Sequence, residues 1–264
     1  MSEATTVPLS IATMPRGGPI ASWLDRRLQT NALEFLDRDD VSDELKQRVI
    51  TGLDVIGTRL KQHEKNARTA LGVVADVPEP RILELGAGHG KLSAKIVEYH
   101  RTATVTVSDV DPTSVANIAA GELGNHPRVT TQVVDASAID APDNSYDLVV
   151  FAMSFHHLPP AAAFKAIAEA TRVGKRFLVI DLKRQSAWAQ LLPPVYAGPM
   201  IAMMPLRTVW PVMHDGFISG LRAYSPAAFK ALGRAVDPQM RIEFLPSPGL
   251  FGSISATVVY SRPA

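Results

Sequence analysis

The chain has 264 residues, 46% of them apolar, so it can bury a sizeable core as one domain with additions. Its formal net charge is +1, which gives no general case for nucleic acid as a partner. It has no cysteine, and this excludes disulfides, thiolate metal sites and cysteine nucleophiles.

Residues 1–19 contain Thr, Pro and Gly and are expected to form a flexible N-terminus. They lack a basic start followed by an apolar run, so no secretory leader is expected and the default location is the cytoplasm. Residues 20–77 read as a helical cap. Trp23, Leu24, Leu28, Leu33, Phe35 and Leu36 come first, and Leu45, Val49, Leu53, Ile56 and Leu60 then recur at helical spacing. Ser42 is a plausible helix start. Pro78 and Pro80 interrupt the chain before the first strand.

From residue 78 onward, strands and helices alternate. The expected strands are Arg81–Leu85, Thr104–Ser108, Arg128–Val134, Tyr146–Ala152 and Arg176–Leu182. Helical faces lie between them, marked by Leu92, Ile96 and Tyr99, by Val115, Ile118 and Ala119, and by Ala161–Arg172. The alternation implies an α/β fold with a mostly parallel, doubly wound sheet. After residue 182 comes an apolar insertion, 184–224, interrupted by Pro193, Pro194, Pro199, Pro205 and Pro211 and carrying Arg207, which disfavours a membrane span. A helix over Ser225–Gly233 follows. Two last strands, Arg241–Leu245 and Ser253–Tyr260, suit an antiparallel hairpin and bring the sheet to about seven strands.

The first strand runs into Glu84-Leu85-Gly86-Ala87-Gly88-His89-Gly90. Glycines at this spacing allow a tight turn and close approach of backbone to a ligand. Glu84 would repel a pyrophosphate and attract an ammonium group, so the loop points to S-adenosylmethionine (SAM) more than to NAD. Asp109 ends the second strand, where a carboxylate can accept both ribose hydroxyls. Asp135 and Ala136 end the third, and Phe151 lies near the end of the fourth, just before Ser154-Phe155-His156-His157-Leu158.

This ordered series resembles the class I SAM-dependent methyltransferases, closely over residues 80–182. Methyltransferase domain types 11 and 25, and within them the small-molecule enzymes, are the nearest in style. The resemblance implies a Rossmann-like fold with SAM as cofactor. It implies that Glu84, Gly86 and Gly88 lie against the methionine part, that Leu85, Ala87 and Gly90 also bind the cofactor, and that Asp109 holds the ribose. Val110, Asp135 and Ala136 would border the adenine, and Phe151 would lie near the sulfonium. Arg172-Val173-Gly174-Lys175 replaces the family's Pro-Gly-Gly turn, a structural departure.

The expected reaction is methyl transfer from SAM to a small, partly apolar acceptor at a hydroxyl oxygen. C- or N-methylation of a quinone-like or secondary metabolite stays open, as does a non-catalytic SAM-binding module. A nicotinamide-dependent oxidoreductase is a further reading that side-by-side binding of SAM and NAD separates. His157 beside the expected sulfonium and His214 with Asp215 in the insertion are the catalytic candidates. The Met and Trp residues of the insertion would suit an acceptor lid. No metal-ligand spacing is visible, so no metal is expected.

Overall fold

A computed structural model describes residues 6–191, 197–202, 204–246 and 252–263. Seven strands form one sheet: β1 (Arg81–Leu85), β2 (Thr104–Asp109), β3 (Val129–Val133), β4 (Leu148–Ala152), β5 (Phe177–Leu182), β6 (Arg241–Leu245) and β7 (Ser255–Ser261). Their order is β3-β2-β1-β4-β5-β7-β6. β1 to β5 pair in parallel, and β7 runs antiparallel between β5 and β6. The strand order therefore reverses between β1 and β4, and in such sheets ligands bind at that point, in the crevice outside the carboxyl ends of the strands.

The helices are α1 (Leu9–Ala12), α2 (Trp23–Leu28), α3 (Asp43–Arg59), α4 (Gln62–Val73), α5 (Lys91–Tyr99), α6 (Pro112–Ala120), α7 (Pro160–Val173), α8 (Ala187–Leu191), α9 (Ala197–Ala202), α10 (Leu206–Arg222) and α11 (Pro226–Val236). Several start where the side chains dictate. The Ser42 hydroxyl accepts from Leu45 N–H to begin α3, and Ser225 accepts from Ala228 N–H to begin α11. Asp111 caps α6 through Thr113 and Ser114, with Pro112 in the first turn.

Alternate side chains along the strands feed two cores, because successive residues point to opposite faces. Leu83, Leu85, Val149, Phe151 and Val179 pack with α7 and α11 on one face. Ile82, Val105, Leu148, Val150 and Leu178 pack with α4 and α5 on the other. Burial on both faces explains why β4 and β5 read as continuous apolar runs. A third, smaller core joins α3 to α10 through Val49, Ile56, Met204 and Val212. Gly52 lets them meet closely, since a Cβ there would lie 2.5 Å from Val212.

The N-terminal segment, expected to be flexible, packs onto the core through a few residues. Ile11 and Met14 are buried in the core of α7 and α11. The Arg16 guanidinium donates to the carbonyls of His156 (2.8 Å) and Arg222, and lies over the Tyr224 ring. β3, β4 and β5 are trimmed at their ends relative to expectation, and Tyr146, for example, makes only an isolated bridge to Gly174. In the insertion, Met204 is buried while Trp188, Leu206 and Trp210 are exposed. Leu192, Tyr196 and Met203 of the expected lid lie outside the described residues. Among the described residues no helix is long and apolar enough to cross a membrane.

Candidate active site

The loop after β1 is fastened to the end of β2. Ala87 N–H donates to the Ser108 carbonyl (2.9 Å) and Gly88 N–H donates to Asp109 Oδ2 (2.9 Å). Gly86 and Gly88 both adopt positive φ, +60° and +55°, which a side chain would strain. Their surroundings differ. A Cβ on Gly86 would lie 2.7 Å from the Phe151 ring, whereas a Cβ on Gly88 would enter open space. The first glycine therefore serves packing, and the second presents bare backbone to the crevice. Gly90 begins α5.

Glu84 is buried, and its carboxylate turns away from the loop toward α5. Oε2 accepts from Ser93 N–H (3.1 Å) and from the Ser93 hydroxyl. Burial raises the carboxyl to about 7, the Ser93 hydrogen bonds oppose this, and the charge of Asp109 adds to it. The ordinary value is 4.5. Between these two pH values the folded chain holds a proton that the unfolded chain releases, so stability falls as pH rises through that window and levels off above it. The total is about 3 kcal/mol. In the cofactor-free protein, Glu84→Gln is expected to flatten the decline in melting temperature between pH 5 and pH 8. Parallel melting profiles for the two proteins would show that Glu84 does not titrate there.

Asp109 ends β2 half-buried, and its Oδ1 accepts from Asp111 N–H (3.0 Å). Helix capping falls to Asp111, so Asp109 keeps acceptor capacity toward the crevice. Val110 is 66% exposed beside it, an apolar surface at the mouth of the crevice. Asp135 is exposed, and its Oδ1 accepts from the N–H and hydroxyl of Ser137 (both 2.8 Å), a turn that also fixes its direction. Ala136 and Phe151 are buried. β4 is followed by Met153, which has φ +61° and is 42% exposed. Such strain in a non-glycine residue clusters at functional sites. Nothing in the sequence around Met153 announces it.

Beyond β4 and β5 lies a network of titratable groups. His156 Nδ1 is 2.7 Å from Asp181 Oδ1, and the other Asp181 oxygen accepts from His156 N–H. His157 Nδ1 is 2.9 Å from Asp37 Oδ2, to which Arg222 also donates (3.0 Å). Glu34 faces both histidines: Oε1 is 3.4 Å from His156 Nε2, and Oε2 is 3.8 Å from His157 Nε2. Burial alone would lower His156, but Asp181 and then Glu34 outweigh it and raise the imidazole to about 9. Burial would likewise raise Glu34 and Asp37, yet their histidine partners hold both carboxyls below the usual value.

The second histidine pair sits on α10. His214 Nδ1 is 2.9 Å from Asp215 Oδ1, which also accepts from Phe35 N–H (2.8 Å). The His214 ring stacks on Phe35 with centroids 4.0 Å apart. Asp215 is buried, while the His214 side chain is 27% exposed. A carboxylate only accepts, so the shared proton is assigned to Nδ1 and the lone pair to Nε2. α10 packs against the turn Phe155–His157, and the turn Phe35–Asp37 touches both α10 and His157. The structure thus brings His157, His214 and Asp215 against one turn, Phe35–Asp37. It adds Glu34, Asp37, Asp181 and Arg222, which sequence reading missed.

A family profile described as "Methyltransferase domain" matches residues 82–176. The chain is 30% identical over 190 residues to the ubiquinone biosynthesis O-methyltransferase of Aeromonas salmonicida, covering 62% of this chain and 76% of that protein. The chain belongs to the class I SAM-dependent methyltransferases. The demethylmenaquinone methyltransferase of Thermus thermophilus is 28% identical over 211 residues, or 74% of this chain and 89% of that one. In fold, this methyltransferase is similar to the plantazolicin methyltransferase BpumL in complex with SAH. That match has a TM-score of 0.60 and 11% identity, and covers 84% of this chain and 92% of the other. The enzyme's cofactor is SAM.

Proposed function

We propose that this enzyme methylates a hydroxyl oxygen of a small, partly apolar acceptor, with His214 as general base and Asp215 as its positioning partner. The observation that carries this reading is the Asp215–His214 pair, stacked on Phe35 and packed against the turn that follows β4. Asp215 fixes the tautomer and leaves Nε2 to take a proton. His157 has both ring nitrogens facing carboxylates, and the base is assigned to His214 instead.

Bound SAM supplies an activated methyl group. Methyl transfer to the acceptor oxygen would leave the electron pair of the broken sulfur–methyl bond on sulfur, and His214 would take the acceptor proton. The backbone at Leu85, Gly86, Ala87, Gly88 and Gly90 is assigned to the methionine part, with Glu84 behind it. Asp109 is assigned to the ribose. Val110, Asp135 and Ala136 are assigned to the adenine, and Phe151 to the wall near the sulfonium. Residues 78–264 then act as the methyltransferase domain, 20–77 as its helical cap and 184–224 as the acceptor lid. The named quinone-pathway relatives support an apolar acceptor of this size.

The test compares matched aromatic acceptors that differ only in carrying a hydroxyl, an amine or a methyl ether. Release of the demethylated cofactor is expected with the hydroxyl compounds alone. Turnover with the amine or the ether and none with the hydroxyl would contradict the reading.

A further inference from the structure

The turn Phe155–His157 and the segment before α3 make a second arrangement that the methyl-transfer reading does not use. Glu34, His156 and His157 each offer one ligand atom, and these atoms lie within 4.8 Å of one another. Both imidazoles are oriented from behind. Asp181 takes Nδ1 of His156 at 2.7 Å, and Asp37 takes Nδ1 of His157 at 2.9 Å. Carboxylates in that position fix the tautomer of metal-bound histidines and raise their basicity. The two Nε2 atoms are thereby turned toward the same carboxylate.

His156 Nε2 makes the case specific. Its side chain is 4% exposed, yet Nε2 makes no hydrogen bond, although Glu34 Oε1 is 3.4 Å away. A buried polar nitrogen without a partner is costly unless something else meets it. A separation of 3.4 Å is close to the distance between two ligands of one small cation with bonds of about 2.0–2.1 Å. The surrounding charge agrees. Glu34, Asp37 and Asp181 outnumber Arg222 and Arg16 by one, a charge that either a proton on His156 or a bound cation displacing that proton supplies. A divalent ion overfills this by one charge, and an ionised acceptor oxygen at an open coordination position would restore balance. The Glu34 oxygen also accepts from Ser219 (2.8 Å), which holds it in place.

We propose that Glu34, His156 and His157 bind one divalent first-row transition-metal ion, with Asp181 and Asp37 as supporting partners. Two imidazoles and one carboxylate suit zinc, cobalt or iron better than magnesium or calcium. The assignment does not depend on His214 being the base. Sequence spacing could not show the site, because Glu34 lies more than 120 positions before the adjacent His156 and His157.

The test uses the full chain treated with chelator and then titrated with Co²⁺, read by visible d–d absorption, and with Zn²⁺, read by calorimetry. One equivalent of each is expected to bind, and Mg²⁺ in excess is expected not to displace it. Asp37→Asn is expected to weaken binding about 10- to 100-fold, the usual cost of losing a supporting carboxylate. Glu34→Gln and His157→Ala are expected to weaken it further. Calorimetric binding of SAM checks that each variant is folded. Absence of saturable Co²⁺ and Zn²⁺ binding to the wild-type chain would overturn the proposal. So would binding that is unchanged in folded Glu34→Gln and His157→Ala, since the ion would then sit elsewhere.

Discussion

His214→Ala is expected to lower kcat about 10²- to 10⁴-fold while leaving the affinity for SAM unchanged. The residue sits on α10, outside the glycine loop and the strand ends assigned to the cofactor. Its loss removes proton acceptance and nothing that holds SAM. The effect depends on the acceptor. A hydroxyl that is already ionised at the working pH has no proton to give, so the deficit should shrink sharply for acidic phenols. A purely structural His214 would cost the same for every acceptor. Asp215→Asn should reproduce part of the loss, because the amide no longer holds the Nδ1 proton in place. Single-turnover rates with phenols of graded acidity check both points. An equal loss across the series, or no loss at all, would remove His214 as the base.

Asp109→Ala should weaken SAM binding roughly 100-fold, the equivalent of about 3 kcal/mol for two hydrogen bonds to a charged acceptor. Part of any loss could arise from the loop, because Asp109 also receives Gly88 N–H. The two contributions separate with SAH and its 2′,3′-dideoxy analogue, tested on both proteins by calorimetry. If Asp109 holds the ribose, the analogue binds the wild-type enzyme poorly and binds Asp109→Ala no worse than SAH does. Losses that add would place Asp109 away from the hydroxyls.

The architecture was legible because the strands of the sheet are short apolar runs bounded by turn signals. β1 and β6 appear where the sequence pattern places them, and Ser225 and Asp111 cap helices as short polar side chains do. The loop was legible as a loop, but three glycines in a row of alternate positions look alike. Only the fold shows that Gly86 abuts Phe151 and that Gly88 faces open space. The sequence does not show that the Glu84 carboxylate accepts hydrogen bonds from Ser93. Asp181 carried a usable signal, since it is an acid near the end of an apolar strand, as Asp109 is. Glu34 and Asp37 carried none. They sit among Leu33, Phe35 and Leu36, where charged positions normally face water, and their partners lie at 156, 157 and 222. The contacts of residues 11–16 were hidden for a related reason: Ile11, Met14 and Arg16 meet partners far along the chain, in α7, α11 and the turn after β4.

The atom that receives the methyl group is the point on which the proposed chemistry turns. Incubating the enzyme with SAM carrying a ¹³C-labelled methyl group and a hydroxylated aromatic acceptor, and then recording the carbon NMR spectrum of the product, reads that atom directly. The expected result is a single labelled methyl ether, formed by wild type and strongly reduced in His214→Ala. A label on ring carbon or on nitrogen would contradict a base-assisted transfer to oxygen.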